Sequence, residues 1–169
     1  MRLAVGKIVD TYKYQLLKKV VLKTLKNELP ATPVHTISSA AKLLNISVHT
    51  LRMYEREGLI VPYKKKSNQR LYSTNDLERI ECFRKAINEA KISINGIKML
   101  YSMIPCWEIV NCSANDRKIC KSIRNSHEPC WMHDHSKTKC QTRDCRTCEV
   151  YTKYSECGQI KELIKSLIQ

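Results

Sequence analysis

Glycine is scarce in this chain. Its 169 residues hold four glycines, Gly6, Gly58, Gly96 and Gly158, each far from the others. A phosphate-cradling loop or a dinucleotide fingerprint needs glycines clustered ahead of a helix, so both are excluded. No run approaches the roughly 18 consecutive apolar residues of a membrane span, and the first residues carry no signal-peptide core. A cytoplasmic protein with no membrane partner is expected. Acidic side chains are also in deficit: 16 Asp and Glu stand against 30 Lys and Arg, a net charge of +14. Such a balance favours an acidic partner, and nucleic acid comes first. Cysteine is abundant instead, at nine residues. In a reducing compartment, that number points to metal ligands or redox chemistry before a disulfide scaffold.

Charge and sulfur lie mostly on different segments. Residues 1–104 carry 19 basic and 8 acidic side chains and one cysteine, Cys82. Residues 105–169 carry 11 basic, 8 acidic and eight cysteines. This asymmetry predicts two modules, one meeting an anion and one using thiols. Ahead of them, residues 10–29 read as a helix with Leu17, Val21, Leu25 and Leu29 on one face, stopped by Pro30. Pro30 and Pro33 then stiffen a short linker.

From Thr36 the punctuation is dense. Ser38 or Ser39 is expected to cap a helix through Leu44, and Asn45-Ile46-Ser47 to form a turn. Ser47 caps a second helix over 48–57, closed by Gly58. Two short helices across such a turn have helix-turn-helix spacing, which places the second in the major groove of double-stranded DNA. On it, Leu51 and Met53 are expected to face the core. Ser47, His49, Thr50 and Arg52 are left for DNA, with Tyr54 placed to donate to a phosphate. Arginine pairs bidentately with guanine. The alternative for Arg52 is an ion pair with Glu55, worth only a few tenths of a kcal/mol.

Two apolar runs, 59–63 and 71–73, flank a basic turn and predict a β-hairpin. Its lysines Lys64, Lys65 and Lys66 suit backbone phosphates, which position a protein without reading sequence. Ser73 and Asp76 form a capping box for a further helix with Leu77, Ile80, Phe83 and Ile87 as its buried stripe. Cys82 on that helix is expected to be an inert core thiol. Ser93 caps a last helix bearing Ile97, Leu100, Tyr101 and Ile104, ended by Pro105.

These strings carry a resemblance. Thr36 to Leu44, then Thr50-Leu51-Arg52-Met53-Tyr54-Glu55-Arg56-Glu57-Gly58-Leu59-Ile60, then Arg70-Leu71-Tyr72-Ser73, resemble the winged-helix domain of MerR-type transcription regulators. The resemblance covers roughly residues 35–104. It implies a cytoplasmic, homodimeric, promoter-binding regulator that works with RNA polymerase and touches DNA through both recognition helix and wing, which adds Arg70 and Tyr72 to the contacts. Two departures stand out. Many members have Gly-Tyr at Asn68-Gln69, and the long dimer helix that usually follows the domain meets Pro105 here. The helices at 10–29 and 159–168 are candidates to replace it.

The second module holds Cys106, Cys112, Cys120, Cys130, Cys140, Cys145, Cys148 and Cys157, with His127, His133 and His135 among them. Few large aliphatic residues accompany them, so a metal is the simplest source of folding free energy. Pro105-Cys106-Trp107 recurs as Pro129-Cys130-Trp131. These Cys-Trp units, ending in Cys145-x-x-Cys148, resemble the two-CW modules attached to bacterial regulators. Three chemistries stay open: structural zinc on four-ligand thiolate sites, an iron–sulfur cluster suggested by the Cys140, Cys145, Cys148 spacing, and metal-free redox sensing by Cys145 and Cys148. The two tryptophans are expected only to pack, and His133 and His135 to lie exposed on loops.

The expected fold is therefore mainly α. It comprises an N-terminal helical extension and linker (1–34), a MerR-like winged helix-turn-helix domain (35–104), a small metal-stabilised cysteine-rich module (105–158) and a C-terminal amphipathic helix (159–169). The expected function is sequence-specific transcription regulation, with a module that binds zinc or an iron–sulfur cluster and senses metal, redox state or a ligand. A thiol oxidoreductase with nucleic-acid affinity and a zinc-module interaction adaptor are the alternatives. No catalytic constellation is seen, so an enzyme is not expected.

Overall fold

The computed structural model describes residues 31–125 and 127–153. The helices expected over 10–29 and 159–168, and Cys157, lie outside the described residues. Strand β1 (His35–Thr36) leads directly into helix α1 (Ile37–Leu44), followed by α2 (Val48–Arg56). Strands β2 (Tyr63–Lys64) and β3 (Arg70–Tyr72) form the hairpin, and α3 (Thr74–Asn88) and α4 (Ile94–Ser102) complete the first segment. Beyond Pro105 the described residues form four short helices: α5 (Cys106–Ile109), α6 (Ala114–Ile119), α7 (Lys121–Arg124) and α8 (Glu149–Thr152). Tight 3₁₀ turns at Cys130–Met132 and Cys145–Thr147 lie between α7 and α8.

Local chemistry explains most boundaries. The Ser47 hydroxyl accepts from Thr50 N at 2.9 Å and starts α2. Gly58 ends that helix in the left-handed region at φ 69°, where a side chain is strained. Ser73 and Asp76 make the reciprocal capping box of α3. Thr36, rather than Ser38 or Ser39, caps α1, because its hydroxyl receives the Ser39 amide.

The sheet has the order β1-β3-β2, with both pairings antiparallel. Thus β3 is central: Leu71 faces Thr36 on one side and Tyr63 on the other. At the hairpin tip Asn68 takes φ 61°, a conformation asparagine tolerates and glycine prefers. That accounts for asparagine at a position where many MerR-type chains have glycine. Leu59 and Ile60 are buried without joining a strand, so the hairpin is shorter than its apolar runs suggested.

One apolar core runs across Pro105. Leu51, Leu77, Ile80 and Phe83 share it with Val110, Trp131, Val150 and Tyr151. The cysteine segment therefore does not form a core of its own; it completes that of the helix-turn-helix. Leu100, expected inside, is 43% exposed, because the inner face of α4 is held by Ile97 and Tyr101 one turn apart. Cys82 is half-buried and disulfide-bonded, not an inert core thiol. Among the described residues, no helix is long and apolar enough to cross a membrane.

Candidate nucleic-acid interface and thiol cavity

Helix α2 and the hairpin present the basic surface. His49 and Arg52 are exposed on α2, and Lys64, Lys65 and Lys66 are exposed on the hairpin. Glu55 does not pair with Arg52. Its carboxylate accepts from Arg70 Nε and lies 3.3 Å from Lys64 Nζ, which ties the wing to the recognition helix. Arg70 is tied to Glu55 through Nε and remains partly exposed on the hairpin. Ser47 and Thr50 spend their hydroxyls on each other at 2.8 Å, at the helix cap.

Two expected contacts face inward. Tyr54 is 6% exposed and packs edge-on to Phe83, with ring centroids 4.7 Å apart. Tyr72 is fully buried, its hydroxyl has no hydrogen-bond partner, and burial pushes its pKa up to about 12. The Tyr72 hydroxyl cannot reach a phosphate from there.

In the cysteine segment, Cys106, Cys112, Cys120, Cys130, Cys140, Cys145 and Cys148 are free thiols that line one apolar cavity. Short helices and 3₁₀ turns, each opening or closing on a cysteine, bring them there. Cys106 opens α5 and Cys120 joins α6 to α7, while Cys148 precedes α8. A hydrogen bond from Cys130, helped by Ser122, holds the Cys106 thiol down to about 7, and the same contact with burial drives Cys130 up. Desolvation pushes Cys140 up to about 11. Among the described residues, no three Cys, His, Asp or Glu side chains are drawn together closely enough to hold one metal ion. The thiols surround a space rather than a point.

His135, expected to be exposed, is half-buried and shares the cavity wall. Its Nε2 lies 2.8 Å from the Cys130 carbonyl oxygen. A carbonyl only accepts, so Nε2 carries the proton. Its Nδ1 is buried with no hydrogen-bond partner.

Two aromatic residues of the cavity wall also grip the DNA-facing elements. Trp131 donates from Nε1 to the Gly58 carbonyl, at the end of α2, at 2.8 Å. The Tyr151 hydroxyl donates to Asp76 at 2.8 Å and accepts from the Val61 amide, ahead of the wing, at 2.9 Å. Between them Arg79 of α3 is 1% exposed. Its guanidinium stacks on Tyr101, Trp131 and Tyr151 and donates to the Tyr151 carbonyl. Trp131 was expected only to pack; its place beside Cys130 in the Pro-Cys-Trp repeat was the signal available.

Residues 35–104 match the family described as MerR HTH family regulatory protein. An uncharacterized HTH-type transcriptional regulator YyaN of Bacillus subtilis is 31% identical over 101 residues, 59% of this chain and 72% of that protein. This chain belongs to the MerR HTH family. A putative heat shock protein HspR of Streptomyces coelicolor is 35% identical over 72 residues, 43% of this chain. The HTH-type transcriptional regulator GlnR of Bacillus anthracis is 27% identical over 79 residues, 47% of this chain. The chain spans only 48% of the HspR relative and 60% of the GlnR relative. No solved structure matches it with significance.

Proposed function

We propose that this MerR-family chain is a cytoplasmic, sequence-specific transcription regulator, acting as a homodimer on promoter DNA beside RNA polymerase. Its cysteine module holds a metal through thiolates, as zinc or as an iron–sulfur cluster, and passes the state of that site to the DNA-reading elements. One observation carries the reading: Trp131 and Tyr151 line the thiol cavity and also bond Gly58, Asp76 and Val61. A rearrangement of the Cys130 or Cys148 backbone would thus be felt at both the recognition helix and the wing. Bound metal would supply the cross-link that fixes those two segments, since thiolate ligation couples directly to folding. The YyaN and GlnR relatives are named as HTH-type transcriptional regulators, which supports a regulator over a thiol oxidoreductase.

Anaerobic purification followed by metal analysis, a visible spectrum and DNA binding tests this. Zinc without colour, or iron with sulfide and a brown colour, is expected. Removing the metal should change promoter affinity in the wild type. Trp131→Phe keeps the ring but loses the donor to Gly58, so it should keep its metal while that response weakens. Specific DNA binding indifferent to metal removal would sink the sensing role, and a protein that shifts no promoter DNA at low salt would sink the whole reading.

A further inference from the structure

We infer that His135 is a ligand of the thiol cavity, binding metal through Nδ1, so that the donor set is thiolate with imidazole rather than thiolate alone. The inference rests on the metal-binding reading above. A ligating histidine donates its other ring N–H to a carbonyl or carboxylate, which fixes tautomer and ring direction. His135 already has that arrangement, with Nε2 donating to the Cys130 carbonyl at 2.8 Å. The residue that orients the ring is itself a cavity thiol. Nδ1 is left buried and without a hydrogen-bond partner, a costly state for a polar atom unless something binds it.

The backbone that carries the ring is held as well. Thr138 donates to the His135 carbonyl from its amide at 3.0 Å and from its hydroxyl at 3.1 Å. The Cys140 amide in turn donates to the Thr138 hydroxyl oxygen at 3.4 Å. His135 thus sits on a short loop tied at each end to a cysteine of the cavity. His133 is the internal contrast. Its Nε2 is also buried without a partner, but His133 does not line the cavity. A mixed thiolate and imidazole set suits a borderline divalent ion bound tetrahedrally, zinc above all.

The test uses the full chain, reduced, anaerobic and stripped of metal, titrated with Co²⁺ and then with competing Zn²⁺. The wild type should give the visible bands of a tetrahedral thiolate and imidazole site. His135→Ala should lose zinc affinity by at least about tenfold, the low end for disturbing even a supporting group of a metal site. His135→Cys should restore affinity, strengthen the thiolate-to-cobalt charge-transfer band and move the visible bands to longer wavelength. His133→Ala should match the wild type. An unchanged Co²⁺ spectrum and zinc affinity in His135→Ala would overturn this assignment while leaving metal binding intact. If that variant fails to fold, a charge-transfer band in His135→Cys no stronger than the wild type's overturns it equally. A wild type that takes up neither ion overturns the ligand and the metal-binding reading together.

Discussion

At position 72, a tyrosine hydroxyl is buried with no partner, an arrangement that usually costs about 1–3 kcal/mol. Burial, with the Glu55 charge adding to it, raises the Tyr72 pKa from 10.0 to about 12. A raised tyrosine pKa means the folded state retains the proton after the unfolded chain has lost it. Its contribution is fully present below pH 10 and is lost as pH climbs from 10 through 12, by up to about 2–3 kcal/mol at 1.36 kcal/mol per unit. Tyr72→Phe should therefore be neutral to stabilising near pH 7 and should lose less stability in alkali. Denaturant midpoints on either side of pH 10 measure it. Equal alkaline loss in both proteins would show that another group titrates. The same variant should bind DNA as the wild type does, since the hydroxyl does not face solvent. Neither this nor Tyr54 was readable from sequence, because a tyrosine in a basic motif looks the same whether its ring points out or in. Burial was decided by partners outside the motif: Phe83 for Tyr54, and β1 beyond the far edge of β3 for Tyr72.

The recognition helix and the wing are joined through one carboxylate, Glu55, which takes both Arg70 and Lys64. Arg52 makes no ion pair among the described residues and projects from an exposed position on α2. The two elements should therefore fail differently on substitution. Arg52→Ala should cost about 1–3 kcal/mol on the cognate site and relax specificity, as loss of a base contact does. Lys65→Ala at the wing tip should weaken all sequences alike and reduce the salt dependence by about one phosphate contact. Binding curves on cognate and scrambled duplexes across salt separate the two; a uniform loss from Arg52→Ala would place it on the backbone. Elements were the most legible level of this chain. Ser47, Gly58, Ser73 with Asp76, and Ser93 each act within a few residues, so their caps follow from local sequence. The two-residue β1 was invisible for the opposite reason. It exists only through pairing with Tyr72 and Leu71, more than thirty positions away.

At the scale of the whole molecule, segregation of charge and sulfur suggested two separable modules, and the packing joins them. Arg79 belongs to the basic segment, yet two of the three rings around its guanidinium, Trp131 and Tyr151, come from the cysteine segment. Composition along the chain cannot reveal this, because a cation stacked on aromatic faces leaves no periodic trace on either partner. A buried guanidinium with its Nε and Nη1 unpaired depends on those faces, each worth about 0.5–2 kcal/mol. Taking the cysteine segment away would leave that charge under-compensated and bare the surface around Gly58 and Ile60, where Trp131 and Met132 lie. The two parts should therefore unfold as one. The chain supplies its own probes. Both tryptophans lie beyond Pro105, so fluorescence follows the cysteine segment. The longer helices α1 to α4 lie before it, so far-ultraviolet dichroism follows mainly the helix-turn-helix. In denaturant at fixed metal content and reduced thiols, the two signals should trace coincident transitions with one midpoint, the mark of a single cooperative unit. Two separated midpoints, with tryptophan fluorescence lost while helicity persists, would mean that the shared core contributes little and that the cysteine segment is an appendage after all.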